Sequence, residues 1–92
     1  MTLNVDHQLT LLFDLLDEHY HELDGNVTEY QQIKRVVQSM MANNAITDKQ
    51  LLQFLPQIYN YGLKGENAQN LNELIIDNQE NIYQWKNAIN NI

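Results

Sequence analysis

The chain predicts an all-α fold: a small antiparallel four-helix bundle whose third helix is kinked or split at Pro56. Three observations predict it. Apolar residues recur at three- and four-residue spacing in four separate stretches, the mark of helical faces. In the last stretch Leu71, Asn78, Trp85 and Ile92 recur every seven residues, and Ile75, Ile82 and Ile89 keep the same period four residues along. Such a two-lane seam must face another helix. Finally, no segment joins β-branched enrichment to period-two alternation, so strands are not expected.

The first helix runs from about Val5 to Leu23. Leu9, Leu12, Phe13, Leu16, Tyr20 and Leu23 supply its apolar face, with Asn4 as N-cap and Asp6 at the positive end of the dipole. Asp24-Gly25-Asn26 stops it, and Gly25 suits a left-handed helix end. The second runs from about Val27 to Asn43. Asn26 with Glu29, or Thr28 with Gln31, has capping-box spacing, and Tyr30, Ile33, Val37, Met40 and Met41 form the stripe. Asn43-Asn44 marks a turn.

The third helix starts at Thr47, where Thr47-Asp48-Lys49-Gln50 has capping-box spacing ahead of Leu51-Leu52. Its stripe continues through Phe54, Leu55, Ile58 and Tyr59. Pro56 lacks an N–H and clashes with the preceding turn, at a cost of about 3 kcal/mol inside a helix. Gly62 and Gly65 are expected to end the element. The fourth helix is the heptad helix, capped near Asn67. Loops of about three to five residues favour antiparallel neighbours.

The 92 residues, 1–92, form a single helical domain. A chain of this size buries roughly 65% of its unfolded surface, enough for one modest core and little for a deep substrate cavity. A net charge of −7 repels phosphate backbones, so no nucleic-acid partner is expected. Lys34-Arg35, the only adjacent basic pair, is too small a footprint to alter that. Nor is a membrane partner expected. The longest unbroken apolar run is three residues, and the last helix carries only Lys86 as a cation. The chain contains no cysteine, which removes disulfides, thiolate catalysis and cysteine-ligated metals. The start, Met1-Thr2-Leu3-Asn4-Val5-Asp6, lacks the basic and apolar regions of a signal peptide, so a cytoplasmic location is expected.

Few constellations carry chemistry. His19 and His21 sit among Asp14, Asp17, Glu18, Glu22 and Asp24, a composition that raises the question of a metal. Residues two apart on a helix point about 200° from each other, so the two imidazoles do not chelate one ion. Glu18 and His21 have the Glu-x-x-His spacing of di-iron bundles, but those sites need a second such motif, and the only other histidine is His7. The expectation is an exposed acidic face carrying both histidines, with no metal, no cofactor and no catalytic residue. Asp14, Glu18 and Glu22 follow one another at i,i+4, where like charges repel and a basic partner would relieve them. Asn78 is a polar residue on the seam, where it either fixes register or oligomer state across a dimer axis or lies at the domain edge, hydrogen-bonded to water. Trp85, the only tryptophan, lies on the core lane of the seam, while tryptophan is also enriched at interfaces. The glycines and lysine of Tyr61–Asn67 lack phosphate-loop spacing, and Ser39, the only serine, sits inside a helix.

Two classes of function fit these residues. The first is a non-enzymatic protein-interaction or accessory module, acting on a protein partner or by self-association. It would use Asn78, Trp85, Asp14, Glu18 and Glu22. The alternative is a small-molecule or metal-binding regulator built on the acidic and histidine face of the first helix.

Three stretches carry a family resemblance: Asp6-His7-Gln8; Glu29 through Met41; and Ile58-Tyr59-Asn60-Tyr61 with Lys64-Gly65, Asn70-Leu71, Gln79 and Gln84-Trp85. Together they resemble the YtzH-like family of small proteins from Bacillus and related Firmicutes. These are packing and turn residues, specific to a lineage and not to a chemistry. The resemblance implies a small bacterial cytosolic protein. The family has no assigned activity, so it transfers no catalytic or binding residue.

Overall fold

The computed structural model describes residues 5–22, 25–44 and 46–91. They form five helices: α1 (Val5–Glu22), α2 (Val27–Ala42), α3 (Lys49–Asn67), α4 (Leu71–Asp77) and α5 (Gln79–Asn90). No strand occurs among the described residues. The expected cap at Asn4 and the apolar positions Leu23 and Ile92 lie outside them. The fold is therefore all-α, with five helices in place of the expected four.

The caps explain most boundaries. Asn26 Oδ1 accepts the Glu29 N–H at 3.0 Å while Glu29 Oε1 accepts the Asn26 N–H at 3.0 Å, the full capping box. α2 ends at Asn43, and Asn44 takes a left-handed φ of 51°, a conformation asparagine tolerates. The cap of α3 is Asp48 and not Thr47: its Oδ2 accepts the Leu51 N–H at 3.0 Å. The next helix is capped at Asn70, whose Oδ1 accepts the Glu73 N–H at 3.0 Å, and not near Asn67, which belongs to the last turn of α3.

Pro56 does not split α3. It is exposed, on the outer side of a helix that buries Leu51, Leu55 and Ile58 on either side of it in sequence. Burial of those side chains, at about 1.5–3 kcal/mol each, offsets the proline penalty. Gly62 and Gly65 do not end the helix either. Both are buried inside it, where α2 crosses closest.

The heptad segment is interrupted at Asn78, which closes α4 and opens α5. Its N–H is shared between the carbonyls of Leu74 and Ile75, and its Nδ2 donates to Leu74 O at 2.9 Å. The side chain thus competes for helix backbone partners, which is how asparagine weakens a helix interior. Ile82 N–H still reaches Asn78 O at 2.8 Å, so the break costs a single residue.

The molecule measures 33 × 26 × 18 Å, about two packed helices through its thinnest dimension. α2 and α3 make the most extensive pairing, α1 packs on α2 and α5, and α3 also meets α5. The core is one cluster, with Leu12, Leu16, Tyr30, Ile33, Leu55, Ile58, Ile75, Ile82 and Trp85 at its centre.

Candidate functional site

Four helices contribute side chains to one buried polar cluster. His19 comes from α1, Glu29 and Tyr30 from α2, Tyr61 from α3 and Trp85 from α5. His19 Nδ1 lies 2.8 Å from the Tyr61 hydroxyl, 42 positions away in sequence. On its other side His19 Nε2 lies 3.6 Å from Glu29 Oε1. The Tyr61 hydroxyl approaches that of Tyr30 at 3.4 Å, and Tyr30 donates to the carbonyl of Leu71, the first residue of α4, at 3.2 Å. Rings close the assembly. His19 and Tyr30 have centroids 4.8 Å apart, Tyr30 and Tyr61 5.1 Å, and Tyr61 and Trp85 5.5 Å.

Local structure places each group. Glu29 is fixed by its capping box, so the carboxylate that closes the start of α2 also faces His19. Tyr30 is the next residue and turns inward. Its ring lies against the bare Cα of Gly65, where a methyl group would fall inside the ring. Burial pushes the phenols of both Tyr30 and Tyr61 up from the ordinary tyrosine range, Tyr61 the more strongly. Both are therefore neutral hydroxyls near neutral pH.

A carboxylate, an imidazole and a phenol in line have the composition of a proton relay. Here His19 is fully buried and Tyr61 is 2% exposed, while the Glu29 carboxylate at the outer end is half-buried. Its hydrogen bonds, in a low-dielectric interior, join α1, α2, α3 and the start of α4.

The structure corrects the expectation that His19 lies on the exposed acidic face. His19 is in the core, while His21 is exposed and bonds Asp17 Oδ1 through Nε2 at 3.2 Å. The signal was present in the sequence. Leu9, Leu12, Leu16 and His19 are spaced three, four and three apart, so His19 continues the buried line. The two histidines are not brought together. Among the described residues no group of three or more His, Cys, Asp or Glu side chains is arranged to hold a metal ion.

The remaining candidates fall in two places. Asp14, Glu18 and Glu22 stand exposed along the outer face of α1, and none of the three forms a salt bridge among the described residues. Asp17, one residue from that line, is engaged with Lys86 Nζ at 2.6 Å. That hydrogen bond holds the Asp17 carboxyl below its usual range, although its partial burial acts in the opposite direction. Trp85 is 2% exposed, a core residue of the folded chain, and Nε1 donates to Gln57 Oε1 at 3.5 Å. Asn78 is half-buried on the rim of a groove of about 220 Å³ over Tyr61 and Trp85, bordered also by Gln57, Lys64 and Asn81. Asn78 and Trp85 thus share one groove, and the acidic residues are elsewhere.

The geometry defines the class: a small all-helical protein stitched together by a buried His–Tyr–Tyr cluster. No helix among the described residues is long and apolar enough to cross a membrane. A family model described as YtzH-like protein matches residues 3–89, and the chain belongs to that family. It is 34% identical over 85 residues to the uncharacterized protein YtzH of Bacillus subtilis (strain 168), covering 92% of this chain and 91% of that one. No solved structure matches the chain.

Proposed function

We propose that the chain is a non-enzymatic protein-interaction module of the bacterial cytoplasm, working by surface association. One contrast carries this reading. The polar side chains that have the composition for chemistry, His19, Tyr61 and Tyr30, are buried and spent on each other, while the acids Asp14, Glu18 and Glu22 stand outside with no ion pair among the described residues. A catalytic base must come within hydrogen-bond reach of a substrate proton, and this imidazole is sealed behind Tyr30, Tyr61 and Glu29. An outward row of like charges on one helix costs a few tenths of a kcal/mol per neighbouring pair, and a basic surface relieves that cost on binding.

Large apolar side chains on the surface support the same reading. Leu52, Leu63, Ile76 and Tyr83 are between 39% and 55% exposed. The test combines light scattering across a dilution series with affinity capture from cytosol of the source organism. The expected result is stoichiometric association, with a second copy or with a basic protein, that surface charge reversal or apolar-to-acidic changes abolish. A chain that stays monomeric and captures nothing specific overturns the proposal.

A further inference from the structure

α3 buries one face through Leu51, Leu55, Ile58, Gly62 and Gly65. A second line runs beside it, turned about 110° around the helix axis. It consists of Lys49, Leu52, Pro56, Tyr59, Leu63 and Glu66, at alternating spacings of three and four. That is the spacing of a coiled-coil seam. Leu52 and Leu63 are 43% and 39% exposed, Lys49 and Pro56 are exposed, and Tyr59 is half-buried at the edge of the core. At the end of the line, Glu66 Oε1 meets Lys34 Nζ at 2.6 Å.

The line is its own complement. Inverted about the point between Gln57 and Ile58, it places Leu52 opposite Leu63, Pro56 opposite Tyr59 and Lys49 opposite Glu66. A two-fold axis through that point therefore sets leucine against leucine and proline against a tyrosine ring. At both ends it sets an ammonium against a carboxylate. This is the requirement of an isologous contact, in which residue i meets residue j and j meets i. A different partner would have to supply the matched series independently; a second copy of the chain carries it by construction.

The geometry points to a homodimer in which two α3 helices pair antiparallel along Lys49–Glu66. This assignment rests on the reading of the chain as an interaction module and names its partner as itself. From Lys49 to Glu66 the seam is about 26 Å long. So short a contact, between chains that each carry −7, lies at the small end of specific interfaces. The dimer therefore exchanges with monomer.

The absence of cysteine gives a direct test. Leu52→Cys and Leu63→Cys are prepared as separate full-length variants, both at exposed positions. The two sites are about 16 Å apart along one helix, beyond the limit of about 7 Å for a disulfide. Any link between them must join two chains. Mixing the variants under mild oxidation is expected to give disulfide dimer at least ten-fold faster than either variant alone. A mixture no faster than its separate components overturns the proposal, as does linking faster within one variant, which would mean parallel pairing.

The unmodified chain is expected to rise from 10.8 kDa toward twice that mass with concentration, and Leu52→Glu with Leu63→Glu to hold it at 10.8 kDa with its helical circular dichroism retained. A chain monomeric throughout that still captures a basic protein sinks the dimer and leaves the interaction reading standing. Monomer with no capture sinks both.

Discussion

The ring of Tyr30 occupies the space that a side chain at Gly65 would fill. This contact lets α2 and α3 approach closely and brings the Tyr30 hydroxyl to its partners Tyr61 and Leu71.

Gly65→Ala is therefore expected to destabilise the protein, even though alanine is favoured over glycine in a helix by about 1 kcal/mol. The new methyl would displace an aromatic ring that has no space to retreat into, and overpacking costs typically 1–3 kcal/mol. Gly62→Ala meets the backbone itself, 2.9 Å from Tyr30 O and 3.0 Å from Lys34 N, and is expected to cost a similar amount. Urea unfolding monitored by circular dichroism measures both. Adding Tyr30→Leu to Gly65→Ala should recover part of the first loss and little of the second.

Tyr61→Phe removes the hydroxyl that meets both His19 and Tyr30. The expected loss is about 1–3 kcal/mol, because buried polar groups of the cluster lose a partner. The same hydroxyl sets an alkaline limit. Burial raises the Tyr61 and Tyr30 phenols in the folded state, so the unfolded chain releases those protons first. Their contribution is fully present below about pH 10 and is lost as pH climbs toward the folded values. Stability against urea should thus fall more steeply above pH 10 in the native chain than in Tyr61→Phe.

At the acid end the relevant group is Asp17, held low by its hydrogen bond from Lys86. A lowered carboxyl stabilises the fold above about pH 4 and loses that contribution as pH falls through the folded value. The Asp17 side chain is 42% exposed, so screening keeps the effect below about 1 kcal/mol. Asp17→Asn should flatten this part of the acid limb.

Lys86 itself is enclosed, 12% exposed, with Nζ 4.6 Å from the Tyr20 ring and 5.6 Å from that of Phe13. Its stem packs against those rings, so Lys86→Ala is expected to cost more than Lys86→Met. Thermal unfolding of the two variants side by side decides this, and equal losses would assign the effect to charge alone.

Glu18→Lys should separate stability from association. It turns two repulsive i,i+4 pairs, with Asp14 and with Glu22, into attractive ones. The isolated fold is expected to gain a few tenths of a kcal/mol, seen as a small rise in melting temperature. Capture of a basic partner should fall at the same time. A variant that binds as the native chain does would remove α1 from the interaction surface.

Much of this was legible in one dimension. The apolar stripes located all the helical stretches, because a face that repeats every 3.6 residues leaves its mark on the chain whatever it packs against. Asn26 with Glu29 announced the start of α2, since a capping box is completed within four residues. His19 was misplaced where the two kinds of information met: its carboxylate neighbours suggested a surface, while its spacing from Leu16 and Leu12 continued the core line. Asn78 was placed on a continuous seam, yet its carboxamide turns back to Leu74 O and divides the helix.

The sequence by itself determined the helical class, both ends of α2 and the apolar lines of the core, because these depend on side chains a turn or two apart. Tertiary structure alone decided that Gly62 and Gly65 are packing surfaces and not helix ends, and that Pro56 sits within an unbroken helix. It alone joined His19 to Tyr61 across 42 positions. Each of these outcomes depends on which helix lies against which. That choice is made by burying area between segments distant in the chain, and no local pattern records it.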